Sequence, residues 1–108
     1  MARKEPGMIC DFSMIPLDKG ASFSPYVSRS LDIIAASGLP YRLGPMSTAV
    51  EGSFDACMDI VRACFEAMAE DSDRVSCTLR FDFRRGRMDG MRTKMASVQE
   101  KASTPLNT

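Results

Sequence analysis

Histidine is absent from the 108 residues. That removes a Ser-His-Asp type of triad, an imidazole general base and the commonest protein metal ligand. Excess charge of either sign is missing too, with 14 Lys+Arg against 14 Asp+Glu. A general nucleic-acid or membrane-surface role leaves a basic surplus, so the balance argues against both, and it leaves self-association unopposed. The longest apolar runs fall well short of a membrane span. The amino end, "MARKEPG", is followed by an apolar run broken at Asp11 and does not read as a signal peptide, so the cytoplasm is the expected compartment. No Gly-rich phosphate loop is present. The four cysteines form no CxxC pair. Cys57 and Cys64 fall on one helical face roughly 10 Å apart, too far to share a tetrahedral zinc or a disulfide. All four are expected to be buried free thiols in a reducing environment.

What the chain does contain is periodicity. In "MICDFSMIP" (8–16) Met8, Cys10, Phe12 and Met14 share one parity, and Asp11 and Ser13 lie side by side on the other. "SPYVSRSLDIIAAS" opens on Ser24 as N-cap with Pro25 at the first helical position. It carries a Val27, Leu31, Ile34 stripe and stops at Gly38. "YRL" and "MSTAV" around Gly44-Pro45 predict a short hairpin. Ser53 caps a second helix whose apolar stripe is Phe54, Cys57, Val61, Cys64 and Met68. "RVSCTLRFDFRR" (74–85) alternates strictly, with Val75, Cys77, Leu79, Phe81 and Phe83 expected on the core face. A weaker helix, "DGMRTKMASVQEKA", precedes a polar tail.

The order β-α-β-β-α-β plus a terminal helix predicts an α+β fold, a ferredoxin-like sandwich with both main helices on one face of an antiparallel sheet. One domain is expected over 8–101, with a flexible start at 1–7 and a frayed tail at 102–108. The second sheet face, which carries the polar parity, should be covered by a partner or a ligand. An RNA platform on this topology needs its aromatics on that open face, whereas Phe81 and Phe83 sit on the core parity. Asp11 and Glu51 could form a carboxylate pair for acid–base chemistry, but no spacing requires it, and the chain is read as non-enzymatic with no catalytic cofactor.

Three tracts, "DFSMIPLDKGASFSPYV", "SGLPYRLGPMSTAVEG" and "KMASVQEKAS", resemble the small thiamine-binding protein family, relatives of the YkoF-type thiamine/hydroxymethylpyrimidine-binding domains. The resemblance spans roughly residues 8 to 101 and is most specific from Gly38 through Gly52. It implies a non-catalytic protein that assembles into dimers or tetramers and binds thiamine or its pyrimidine moiety. The alternative is an oligomeric scaffold or regulatory interaction domain without thiamine. A thiamine site needs a carboxylate, hydroxyls and an apolar wall. Asp11 or Glu51 would supply the first, Ser13 and Thr48 the second, and Phe12 or Phe54 the third. Parity puts Thr48 and Glu51 on different faces, so one of the two is expected to be structural. For Glu51 the structural alternative is a carboxylate at the start of the second helix.

Overall fold

The computed structural model describes residues 7–86 and 89–107. Residues 1–6, most of the segment expected to be flexible, lie outside the described residues. β1 (Met8–Pro16), α1 (Ser24–Ala36), β2 (Tyr41–Leu43), β3 (Thr48–Gly52), α2 (Phe54–Ala69) and β4 (Val75–Phe83) follow the expected order, and α3 (Gly90–Lys101) follows them. The four strands form one sheet in the order β2-β3-β1-β4, antiparallel at every pairing. This is the ferredoxin-like sandwich that the two crossovers dictate.

The core forms between β1 and the two crossover helices. Met8, Cys10, Phe12 and Met14 of β1 and Val50 of β3 meet Ile34 of α1 and Cys57, Ile60, Cys64 and Met68 of α2. Six of these ten are Met or Cys, whose adaptable side chains fill the space around Ile34, Val50 and Ile60. The Cys10 thiol is raised well above the usual thiol range, first by its hydrogen bond to Cys57 and then by burial; burial also raises Cys64 and Cys77. Three of the four thiols are buried as expected, whereas Cys77 is exposed.

The helix boundaries carry two corrections. The first helix starts one residue early, because the carbonyl of Phe23 accepts from Tyr26 and Val27 and makes Phe23 the N-cap. Ser24 is therefore the first helical residue and makes no side-chain cap. In α2 the Ser53 hydroxyl does accept from the Ala56 N–H, as predicted. Phe54 is exposed, however, and Ile60 takes the core position that the expected stripe gave to its neighbours. Gly38 ends the first crossover with φ of 81°, a left-handed conformation that favours glycine.

β4 holds the largest departure. Its register sets Cys77, Leu79, Phe81 and Phe83 opposite Met14, Phe12, Cys10 and Met8, hence on the helix-covered face as predicted. Yet α1 packs on β1, and α2 on β1 and β3 more than on β4, which is an edge strand. Phe81 stays 54% exposed and Phe83 51%. Phe81 meets Phe54 edge-to-face, ring centroids 6.0 Å apart.

On the opposite face the chain supplies its own cover. Glu51, Ile9 and Asp82 form one row across β3, β1 and β4. The N-terminus of α3 is fixed to that row through Glu51, and Lys94 ion-pairs with Asp82. After α3 the chain folds back. Gln99 donates to the Thr104 carbonyl and accepts from the Leu106 N–H.

Candidate functional site

β1 has nine residues and β3 has five, and the mismatch opens a gap in the sheet. The N–H of Leu17 donates to the Arg74 carbonyl, and that of Arg84 to the Gly7 carbonyl. In an antiparallel strand the N–H and C=O of one residue point to the same side, and the sides alternate. Odd-numbered residues of β1 therefore bond toward β4 and even-numbered ones toward β3. The β1·β3 ladder runs Met8↔Gly52, Cys10↔Val50, Phe12↔Thr48 and stops. Met14 is the next even residue, and where its strand partner would stand is Met46, 85% exposed in the hairpin. The N–H and C=O of Met14 face this gap without a hydrogen-bond partner among the described residues, although the residue is only 6% exposed. Buried main-chain groups left unmade cost about 1–3 kcal/mol each, so their presence calls for a reason.

The gap is the inner wall of a cavity of about 730 Å³ between α1, the end of β1 and the β2–β3 hairpin. Phe12, Met14 and Ile34 form its floor, Phe23, Val27 and Leu31 its helix side, and Leu43 through Thr48 its rim. Ser13, Ser24, Ser28, Ser30, Ser47 and Thr48 are among its lining residues, and no ionisable side chain lines it. The hairpin holds its shape at Gly44, whose N–H donates to the Ser47 carbonyl at 2.9 Å. A Cβ there would fall 2.9 Å from the same oxygen, so only glycine fits.

The four residues proposed from sequence separate into two pairs. Ser13 and Thr48 are both among the lining residues, but only Thr48 shares the helix-side parity of Phe12, whereas Ser13 has the parity of Asp11. Thr48 is 8% exposed, and its hydroxyl has no partner among the described residues. Asp11 and Glu51 do not line it. Asp11 lies on the other sheet face, where it accepts from Ser47 Oγ at 2.7 Å and pairs with Arg80 across the strands at 3.3 Å. It thus draws the Ser47 hydroxyl toward that face. Glu51 is 2% exposed. Its carboxylate accepts from the Gly90 N–H and, at 3.2 Å, from the Met91 N–H. A carboxylate at a helix N-terminus satisfies amides that have no partner within the helix and meets the positive end of its dipole. The structural alternative named the second helix; the helix that Glu51 caps is the third. Of the two aromatic walls considered, Phe12 lines the cavity and Phe54 does not.

Sequence reasoning missed the Met14 main chain, Ser28 and the uncharged character of the lining. One signal was available: the nine-residue β1 predicted from parity outruns the strand it pairs with.

A profile of the family described as thiamine-binding protein matches residues 10–99, which include β1 from Cys10 on, the other three strands and the whole cavity wall. The chain belongs to the thiamine-binding protein family. Among curated relatives, a UPF0045 protein of Methanothermobacter thermautotrophicus is 35% identical over 94 residues, covering 84% of this chain and 95% of that one. One from Mycobacterium bovis is 33% identical over 95 residues, covering 87% and 93%. The crystal structure of a hypothetical protein from Methanocaldococcus jannaschii superposes with a TM-score of 0.79 at 28% identity, covering 86% of this chain and 96% of that one. A candidate thiamine biosynthesis/salvage protein from Thermotoga maritima shares the fold, with a TM-score of 0.68 at 23% identity over 89% and 95%. Among the described residues no helix is long and apolar enough to cross a membrane, and no His/Cys/Asp/Glu group could hold a metal ion.

Proposed function

We propose that this member of the thiamine-binding family is a non-catalytic, cytoplasmic binding protein for thiamine or its hydroxymethylpyrimidine moiety, and that it works as a homo-oligomer. The observation that carries the reading is the cavity beside the Gly38–Gly52 tract, with an apolar floor, the Thr48 hydroxyl and an unpaired main-chain edge. Such a mixture of apolar wall and few polar groups is what a small heteroaromatic ligand requires. The name given to the Thermotoga maritima neighbour points the same way. Titration calorimetry with thiamine, hydroxymethylpyrimidine and thiamine phosphates tests it. Saturable heat with thiamine or the pyrimidine is expected, and heat equal to a buffer blank at high micromolar ligand overturns the reading.

The assembly rests on β4, a nine-residue edge strand whose apolar parity is half exposed. Long, uncovered edges recruit a further strand. Antiparallel pairing of two β4 strands centred on Phe81 would set Arg80 of one protomer opposite Asp82 of the partner subunit, a favourable cross-strand pair. Sedimentation of Phe81→Glu is expected to give a smaller mass than wild type, and an unchanged mass argues against this interface.

A further inference from the structure

We infer that the main chain of Met14 is the specificity element of the cavity, and that it selects the uncharged aminopyrimidine end of the ligand over the thiazolium ring. The inference rests on the thiamine-binding reading and narrows it to one edge of one ring.

Two observations on the protein carry it. Where β3 ends, β1 leaves one buried residue with a donor and an acceptor side by side and no partner among the described residues. A 4-aminopyrimidine has the complementary pair on adjacent atoms, a ring nitrogen that accepts and an exocyclic amine that donates. Such a ring would continue the ladder by one step, lying flat in the gap that β3 leaves open, between Phe12 and the α1 residues Val27 and Leu31. The second observation is the absence of any ionisable group among the lining side chains. A permanent cation in the floor of this cavity would be desolvated with no carboxylate to compensate it. Glu51 is held by α3, and Asp11 stands behind Ser47 on the other face. The neutral ring therefore belongs inside and the thiazolium at the mouth, toward solvent.

A single chemical exchange isolates the claim. In 5-hydroxymethyl-2-methylpyrimidin-4-one the amine becomes a carbonyl and the adjacent ring nitrogen carries a proton. Donor then meets donor and acceptor meets acceptor at Met14, while shape and volume hardly change. Sites built on buried hydrogen bonds discriminate strongly against such mismatches. Calorimetry should show the aminopyrimidine bound, the pyrimidinone weaker by at least about ten-fold, and N-methylated hydroxyethylthiazolium not bound over the same range. In amide-resolved NMR of the full chain, the Met14 N–H should move downfield on adding the aminopyrimidine, more than any other amide of β1.

The outcomes separate the two readings. Thiamine binding together with equal affinity for the amine and the pyrimidinone, or with an unmoved Met14 amide, overturns main-chain recognition and leaves the family reading standing. Tighter binding of the N-methylated thiazolium than of the aminopyrimidine overturns the orientation. Absence of binding by thiamine and the aminopyrimidine alike overturns the thiamine reading, and this inference with it.

Discussion

Thr48 and Glu51 are three residues apart on one short strand, both polar and both buried, and they mark two ends of the sheet that have opposite fates. At the Glu51 end the polar group is complete. Its carboxylate meets two amides of α3, and the row through Ile9 and Asp82 is tied down by Lys94. At the Thr48 end the ladder stops, and a hydroxyl and a main-chain N–H and C=O face a cavity without protein partners among the described residues. The residue type that chemistry would choose first for a cationic ligand, the carboxylate, is the one engaged in holding the fold. A buried polar group that is fully bonded specifies structure, and one left unbonded beside a cavity calls for a partner from outside the chain, water or ligand.

The largest effect that tests this contrast is expected at the closed end. Glu51→Ala should lower folding stability by about 2–3 kcal/mol, because it removes charge-assisted bonds and strands two helix amides. Hydrogen exchange should accelerate through residues 90–101 while ligand affinity in the folded fraction is retained. Full loss of binding with α3 still protected would reverse the roles assigned to the two residues. At the open end, Thr48→Val keeps the shape and removes the hydroxyl. It should weaken thiamine or pyrimidine binding roughly five-fold, equivalent to about 1 kcal/mol, with the melting temperature within a degree or two of wild type. A stability loss without an affinity change would make Thr48 structural as well.

The smallest effect lies away from both ends and serves as a control. Asp18 is held below the ordinary carboxylate value of 3.8, first by the Ser72 hydroxyl at 2.6 Å and then by the Asp73 N–H at 2.8 Å. A depressed folded pKa contributes stability above the unfolded value that is lost as pH falls through the folded one. Wild type should therefore lose more stability than Asp18→Asn on acidification below about pH 4, and ligand affinity should follow neither. Parallel acid curves for the two proteins would remove Asp18 from this account.

The fold was legible because periodicity reports directly on which side of a strand or helix meets the core. The parity of Met8 to Met14, the stop at Gly38 and the Ser53 cap all rest on local rules that the tertiary structure leaves intact. β4 shows where such rules end. Parity correctly placed Phe81 and Phe83 on the helix side of the sheet, but which strands the helices cover depends on crossover geometry and not on alternation. The site was half legible for the same reason. Parity separated Thr48 from Glu51, and the register Met8↔Gly52 through Phe12↔Thr48 bears that separation out. It could not assign Glu51 to amides 39 and 40 residues away, because long-range caps leave no periodic trace. Nor could side-chain patterns reveal Met14, whose contribution to the cavity is made by backbone atoms that every residue possesses.

The Glu51 cap also has a direction in time. A ribosome delivers the carboxylate 39 residues ahead of the Gly90 amide that receives it. All four strands and both crossover helices are therefore synthesised before that carboxylate can be satisfied. Until α3 is made, the Glu51 carboxylate lacks the two amides that receive it in the folded protein. The last helix is thus the closing step of the chain, and it closes on a charge left waiting for it.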